Sequence, residues 1–367
     1  MLNNKTVAVV IPAYNEEKQI SLVINSMPDF VDRIVVVNDH STDGTSFVVQ
    51  QYIEKDTLDY SHERIGMVAI VPNLYNEAEV VLQNLRAKET DFFTPSEVVN
   101  KNPGRSRIIL INHLQNGGVG AGIATGYKWC LDNNIDCTAV MAGDGQMDPG
   151  ELKDICSPVV FDNIDYVKGN RLRHRSARHI IPTKRFFGNS VLSILTKIAS
   201  GYWRVSDTQT GYTAISLAAL RSIDLHKIYR RYGMPNDLLV KLNIASCTLR
   251  EVEIKPVYRI GENSKMKIPR VMLSISLLLI KGFFHRLWFK YFFRDFHPLF
   301  ILYNLSFILF FISIPFAVKI LNYMFGQHTG ERPILNSILF MFLIVSAFQS
   351  LLFAMWMDMQ DNERLYK

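Results

Sequence analysis

The chain has 367 residues, 48% of them hydrophobic and 20% charged, with a formal net charge of +6. That length suits one large domain with an appendage, or two domains. The four cysteines (Cys130, Cys137, Cys156, Cys247) lack metal-ligand or redox spacing, which argues against a disulfide scaffold and fits a reducing compartment.

Strands and helices alternate over the first 260 residues. "VAVVI" reads as a strand that lacks the basic flank and cleavage pattern of a signal peptide. "NEEKQISLVINSM" is helical, with Ile20, Val23, Ile24 and Met27 on one face. "RIVVVND" is a strand, and "STDGTSFVVQQYI" a capped helix. Between Glu54 and Arg107 lies an insertion whose "MVAIVPNLYNEAEVVLQNL" echoes the N-terminal "VAVVIPAYNEEKQISLVI". It reads as an extra strand–helix unit or a lid, and the echo as chance similarity or a partial duplication. "RIILIN" (strand), "GVGAGIATGYKWCLD" (helix) and "CTAVMA" (strand) come after it. This order predicts a mostly parallel sheet with helices on both faces.

Two basic stretches come next. Residues 166–206 contain no acid but include Lys168, Arg171, Arg173, Arg175, Arg178, Lys184, Arg185, Lys197 and Arg204. Residues 264–294 are also basic and acid-free. Within them "VMLSISLLLI" is too short to span a bilayer; it suits an interfacial helix over 261–296 or a core helix packed on the sheet. Runs without charge, 298–318 and 334–357, then predict membrane helices over about 298–320 and 334–357, each long enough to span and joined by a short linker. They predict a hairpin with both ends on one side, against the alternative of a buried hairpin in a soluble core. Lys281, Arg286, Lys290 and Arg294 precede it, so the positive-inside rule places the N-terminal domain in the cytoplasm. With a membrane hairpin adjacent, the basic stretches point to anionic lipid rather than nucleic acid.

Four strand ends carry polar or glycine-rich turns on one edge of the sheet: "PAYNE", "NDHSTDGT", "NGGVGAG" and "GDGQMDP". Capping needs one residue, and these turns carry several, so they predict a ligand site. The glycines of "NGGVGAG" allow a backbone to approach a ligand, but no P-loop or dinucleotide fingerprint is present. Asp144 is a candidate metal ligand or the start of an Asx turn. Asp148, before Pro149, is explained as a helix cap.

"VAVVIPAYNEEKQI", "IVVVNDHSTDGT", "NGGVGAGIATGYKW", "MAGDGQMDP", "DTQTGYTAIS" and "YRIGENSK" together resemble the ordered motifs of family 2 glycosyltransferases. The polyprenyl-phosphate branch, similar to dolichol-phosphate mannosyltransferase, is the nearest. The resemblance covers roughly residues 7–267 apart from the insertion.

It implies a GT-A, Rossmann-like α/β domain over residues 1–260. It also implies inverting transfer of a sugar from a UDP- or GDP-linked donor to a polyprenyl phosphate. Pro12, Tyr14, Glu16, Val37, Asp39 and Gly143 would bind the nucleotide; for Glu16, a first-turn acid facing the helix dipole is the alternative. The family's Asp-x-Asp motif reads Ala142–Gly143–Asp144 here, which leaves Asp144 and Gln146 to hold Mg²⁺ or Mn²⁺, with water in place of the carboxylate absent at Ala142. Arg259 and Lys265 would close over the donor diphosphate, and Arg171 and Arg185 would bind the acceptor phosphate. Asp207 is the candidate base or positioning carboxylate, or else a cap; an acceptor phosphate is ionised at neutral pH and needs no strong base. A processive polysaccharide synthase of the same family would resemble a Gln-x-x-Arg-Trp pattern, which is absent, and the incomplete metal motif would suit a non-catalytic nucleotide-sugar or lipid-binding protein. A homo-oligomer is compatible with the sequence.

Overall fold

The computed structural model describes residues 1–56, 71–181, 183–257, 268–325 and 334–367. Its strands are β1 (Val7–Ala13), β2 (Arg33–Asn38), β3 (Ser96–Val98), β4 (Ile108–His113), β5 (Cys137–Val140), β6 (Tyr166–Asn170), β7 (Thr213–Ser216) and β8 (Leu249–Glu253). The helices of the first two thirds are α1 (Ile20–Asn25), α2 (Thr45–Lys55), α3 (Glu77–Glu89), α4 (Val119–Asp132), α5 (Leu152–Phe161), α6 (Ala177–Ile180), α7 (Thr183–Ser200), α8 (Leu217–Ser222) and α9 (Met234–Ile244). Beyond them come α10 (Ile268–Trp288), α11 (Pro298–Met324) and α12 (Ile334–Glu363).

The eight strands form one sheet in the order β3-β4-β2-β1-β5-β7-β6-β8. β1 is parallel to β2 and β5, β2 to β4, and β6 to β8. β3 and β7 run antiparallel to their neighbours. The sheet is thus mostly parallel and helix-covered, as its valine- and isoleucine-rich strands predict. Alternation along β1 divides two cores: Ala8 and Val10 pack on the α4 side, and Val7, Val9 and Ile11 on the α1 and α5 side.

In the insertion, α3 and the short edge strand β3 are described, while much of the "MVAIV" expected as a strand lies outside the described residues. β3 pairs with β4 alone and so widens the sheet by one antiparallel strand.

Three C-terminal helices are long and apolar enough to cross a membrane, where the sequence predicts two. The third is α10, extended by a π-helical segment, Phe289–Arg294. "VMLSISLLLI" is therefore only part of a longer apolar helix, which corrects the expectation that it is too short. α10 has two apolar faces. Ile275, Leu279, Phe283, Leu287 and Tyr291 are buried at four-residue spacing in a cluster with α7 and α9 residues. Leu273, Leu277, Ile280, Phe284 and Trp288 are exposed.

α11 and α12 pack as the expected hairpin, with the Ser306 hydroxyl donating to the Ala347 carbonyl at 2.8 Å. Most of their large apolar residues, such as Phe311 and Phe342, are exposed. The base of the hairpin is tied to the domain by buried polar contacts. Arg286 forks onto both Asp358 oxygens (2.7 and 2.8 Å) and donates to the Ala199 carbonyl. Lys290 donates to Asn243 and Asn362 (3.0 and 2.7 Å). Two of the four cations counted as a flanking cluster thus serve internal pairing, leaving Lys281 and Arg294 exposed. Past α12 the chain returns to the sheet. Leu249 donates to the Leu365 carbonyl (2.7 Å) and Lys367 to the Leu249 carbonyl (3.0 Å), which covers part of the β8 edge.

Candidate active site

A cleft of about 470 Å³ opens at the C-terminal ends of β1, β2 and β5. Chain order reverses across the sheet between β1 and β5, the usual place for a ligand in an open α/β sheet. β1 and the turn after it supply Pro12, Ala13, Tyr14 and Glu16; the turn after β2 supplies Asp39. Residues 116–119 come from the start of α4, and Ala142, Gly143 and Asp144 lie just past β5. The volume falls within the range of small-molecule sites.

The first turn is locked to the second. Asn15 adopts φ 58°, its side-chain carbonyl oxygen accepts from the Thr42 N–H (2.8 Å), and the Asn15 N–H donates to the Ser41 hydroxyl (2.9 Å). The Glu16 N–H donates to the Thr45 hydroxyl at the start of α2 (2.9 Å). Tyr14 is left 46% exposed and lines the cleft. The Glu16 carboxyl is pushed up to about 7, first by partial burial and then by the negative charges of Asp144 and Asp43.

Asp39 is 3% exposed. One of its oxygens meets His113 Nδ1 and the Gly117 N–H, both at 2.7 Å; the other accepts from the Gly118 N–H at 2.8 Å. Burial would raise this carboxyl, but the hydrogen bonds outweigh it and hold it below the usual range. The expected ribose or base acceptor is therefore also the cap of α4. The N–H groups of Gly120 and Ala121 in the first turn of the helix donate to the Arg230 carbonyl (2.9 and 3.3 Å). A Cβ on Gly118 would lie 2.5 Å from that carbonyl oxygen, and one on Gly120 2.1 Å from the Tyr229 oxygen. The backbone that these glycines admit is the chain's own segment 229–231. Gly117 and Gly118 also line the cleft, so the stretch serves an internal approach beside the expected ligand site.

Asp144 is both a turn residue and a lining residue. One of its oxygens accepts from the Gln146 N–H at 3.0 Å, around Gly145 at φ +75°. Gln146 does not line the cleft. Asp148 caps the turn into α5 by accepting from the Gly150 N–H (2.9 Å), as its sequence setting predicts. Val37 is fully buried in the core on the α4 side and also does not line the cleft.

Arg171 and Asp207 form a second centre, at the end of β6. Two side-chain nitrogens of Arg171 fork onto Asp207 (2.8 and 3.0 Å), and the Arg171 N–H adds a third bond (3.1 Å). Asp207 is 1% exposed. Burial opposes its charge, but Arg171 prevails and holds the carboxyl below the usual range. A carboxylate so placed orients Arg171 and is poorly suited to take a substrate proton. Neighbouring Lys168 is fully buried, which pushes its ammonium down to about 8. Arg185 lies on α7 with its side chain outside the described residues, and Arg259 and Lys265 lie wholly outside them.

Sequence reasoning missed Arg231 and Tyr232, which also line the cleft from the segment before α9. They stand at no strand end. Their only sequence signal is the run "YRRYG" ahead of Pro235.

Residues 8–65 match the family profile "Glycosyl transferase family 2". The UDP-N-acetylglucosamine–dolichyl-phosphate N-acetylglucosaminyltransferase of Methanococcus voltae is 26% identical over 275 residues, 75% of this chain and 94% of that protein. The dolichyl-phosphate beta-glucosyltransferase ALG5D of Trichomonas vaginalis is 23% identical over 297 residues, 76% of this chain and 73% of that protein. Among solved structures, glucosyl-3-phosphoglycerate synthase from Mycobacterium tuberculosis, in complex with Mn²⁺, UDP and glucosyl-3-phosphoglycerate, aligns with a TM-score of 0.45 at 15% identity over 77% of this chain and 80% of that one. A likeness that slight carries no weight for function. The profile match takes in the cleft's first two strand ends, and the two relatives, which align over three quarters of the chain, are both named as dolichyl-phosphate glycosyltransferases.

Proposed function

We propose that the protein transfers one sugar from a nucleoside-diphosphate sugar to a polyprenyl phosphate at a membrane surface, with its catalytic domain on the cytoplasmic side. One observation carries this reading. The strand-end cleft belongs to a domain that is joined by a buried ion pair and buried hydrogen bonds to a hairpin of exposed apolar helices. The named acceptors of the two relatives are dolichyl phosphates, which agrees with it.

Tyr14 offers the base a flat face, while Glu16 and Asp39 stand where ribose or base donors would be read. Asp144 is close enough for its charge to disfavour ionisation of Glu16. Such a pair of hard oxygen donors fits Mg²⁺ or Mn²⁺ completed by diphosphate and water, although no group of three or more His, Cys, Asp or Glu converges among the described residues. When bound, the cation would offset charge on the departing nucleoside diphosphate. Arg171, oriented by Asp207, would receive the acceptor phosphate, whose ionised oxygen attacks the anomeric carbon from the face opposite the leaving group.

The test uses the full chain in detergent, a short polyprenyl phosphate, Mg²⁺ or Mn²⁺, and a panel of labelled UDP- and GDP-sugars. A lipid carrying a single sugar is the expected product. Failure of every donor to label lipid would sink the proposal, and a ladder of longer products would favour processive synthesis.

A further inference from the structure

The cleft is rich in acid and poor in groups that could receive an anion. Glu16, Asp39 and Asp144 all line it. At the start of α4, where a phosphate could have met free N–H groups, those of Gly117 and Gly118 are taken by Asp39 and those of Gly120 and Ala121 by the Arg230 carbonyl. Among the described lining residues there is one cation, Arg231. Its side chain is exposed and forms no ion pair with the described residues.

The backbone that carries Arg231 is fixed from three directions. The Arg230 carbonyl accepts from α4, the Tyr229 N–H donates to Asp237 (2.9 Å), and the Arg230 guanidinium donates to the Phe92 carbonyl (3.1 Å). Gly118 leaves room for this approach, since a Cβ there would lie 2.5 Å from the Arg230 carbonyl oxygen. A guanidinium with no ion pair among the described residues, on a backbone held by these hydrogen bonds at the rim of an acidic cleft, matches the bidentate geometry of phosphate oxygens.

Building on the nucleotide-sugar reading, we infer that Arg231 binds the diphosphate of the donor. The inference concerns the diphosphate itself and not an acidic group on the sugar.

Calorimetry on the full chain in detergent, with Mg²⁺ present, decides it. UDP, GDP and UDP-glucuronate are titrated into wild type, Arg231→Gln and Arg231→Lys, and melting temperatures check that each variant folds. Arg231→Gln is expected to weaken binding of the preferred nucleoside diphosphate at least tenfold, and Arg231→Lys, which keeps the charge but not the fork, by less. Equal losses in the two variants, no loss in Arg231→Gln, or a loss confined to UDP-glucuronate would each overturn the assignment. If wild type binds neither UDP nor GDP, the nucleotide-sugar reading itself fails; binding by wild type with an unaffected Arg231→Gln overturns Arg231 alone.

Discussion

Asp39 and Asp207 are strand-end carboxylates committed to partners within the protein. Asp39 organises the start of α4, and Asp207 holds Arg171. Neither commitment was legible in the sequence, because each partner lies far along the chain. What was legible was that polar groups gather at strand ends, since that comes from strand–turn–helix order alone. Asp144→Ala is expected to lower lipid glycosylation at least a hundredfold while leaving the melting temperature within a few degrees, as its main-chain contact is a local turn. Retained activity, measured as labelled lipid per minute, would remove Asp144 from the chemistry. Asp207→Asn should cost stability, on the order of 3 kcal/mol, by loosening a buried pair. The sign with pH is fixed. The folded-state carboxyl lies below the ordinary value of about 3.9, so its contribution is present above that value and lost as pH falls through the lowered one. Denaturant midpoints of wild type and Asp207→Asn should therefore differ at pH 7 and converge in strong acid; a gap that stays constant contradicts the pairing.

At the scale of elements, "NGGVGAG" is the instructive case. Composition marked it as a place of close approach, but could not name the partner, because segment 229–231 is more than 100 residues away. Gly120→Ala forces a methyl group against the Tyr229 carbonyl and should cost about 1–3 kcal/mol by overpacking. It should also weaken nucleotide binding, because Arg231 and Tyr232 move with the displaced segment. Unchanged urea midpoint and unchanged nucleotide affinity would show that the segment yields freely. α10 is a second case. Its periodicity is blurred because both faces are apolar, one against α7 and α9 and one outward, so a window of ten residues misjudges its length.

For the whole molecule, the parallel sheet and the hairpin could be read from alternation, run length and short connections, and both are observed. The joint between them could not, because Arg286 and Lys290 read as membrane-flanking charges until their buried partners are seen. Asp358→Ala strands Arg286 without its carboxylate and should destabilise the protein by roughly 3–5 kcal/mol, while the Arg286→Met/Asp358→Leu pair should recover much of that. Melting in detergent checks both; a double variant as unstable as the single one would show that shape rather than charge governs the joint.

The chain segment that covers the β8 edge, Leu365–Lys367, is made after the hairpin. A ribosome must therefore deliver α11 and α12 before the catalytic domain can finish its own sheet. Until those residues are made, the β8 edge stays unpaired along the stretch that they cover, open to proteases and to self-adhesion.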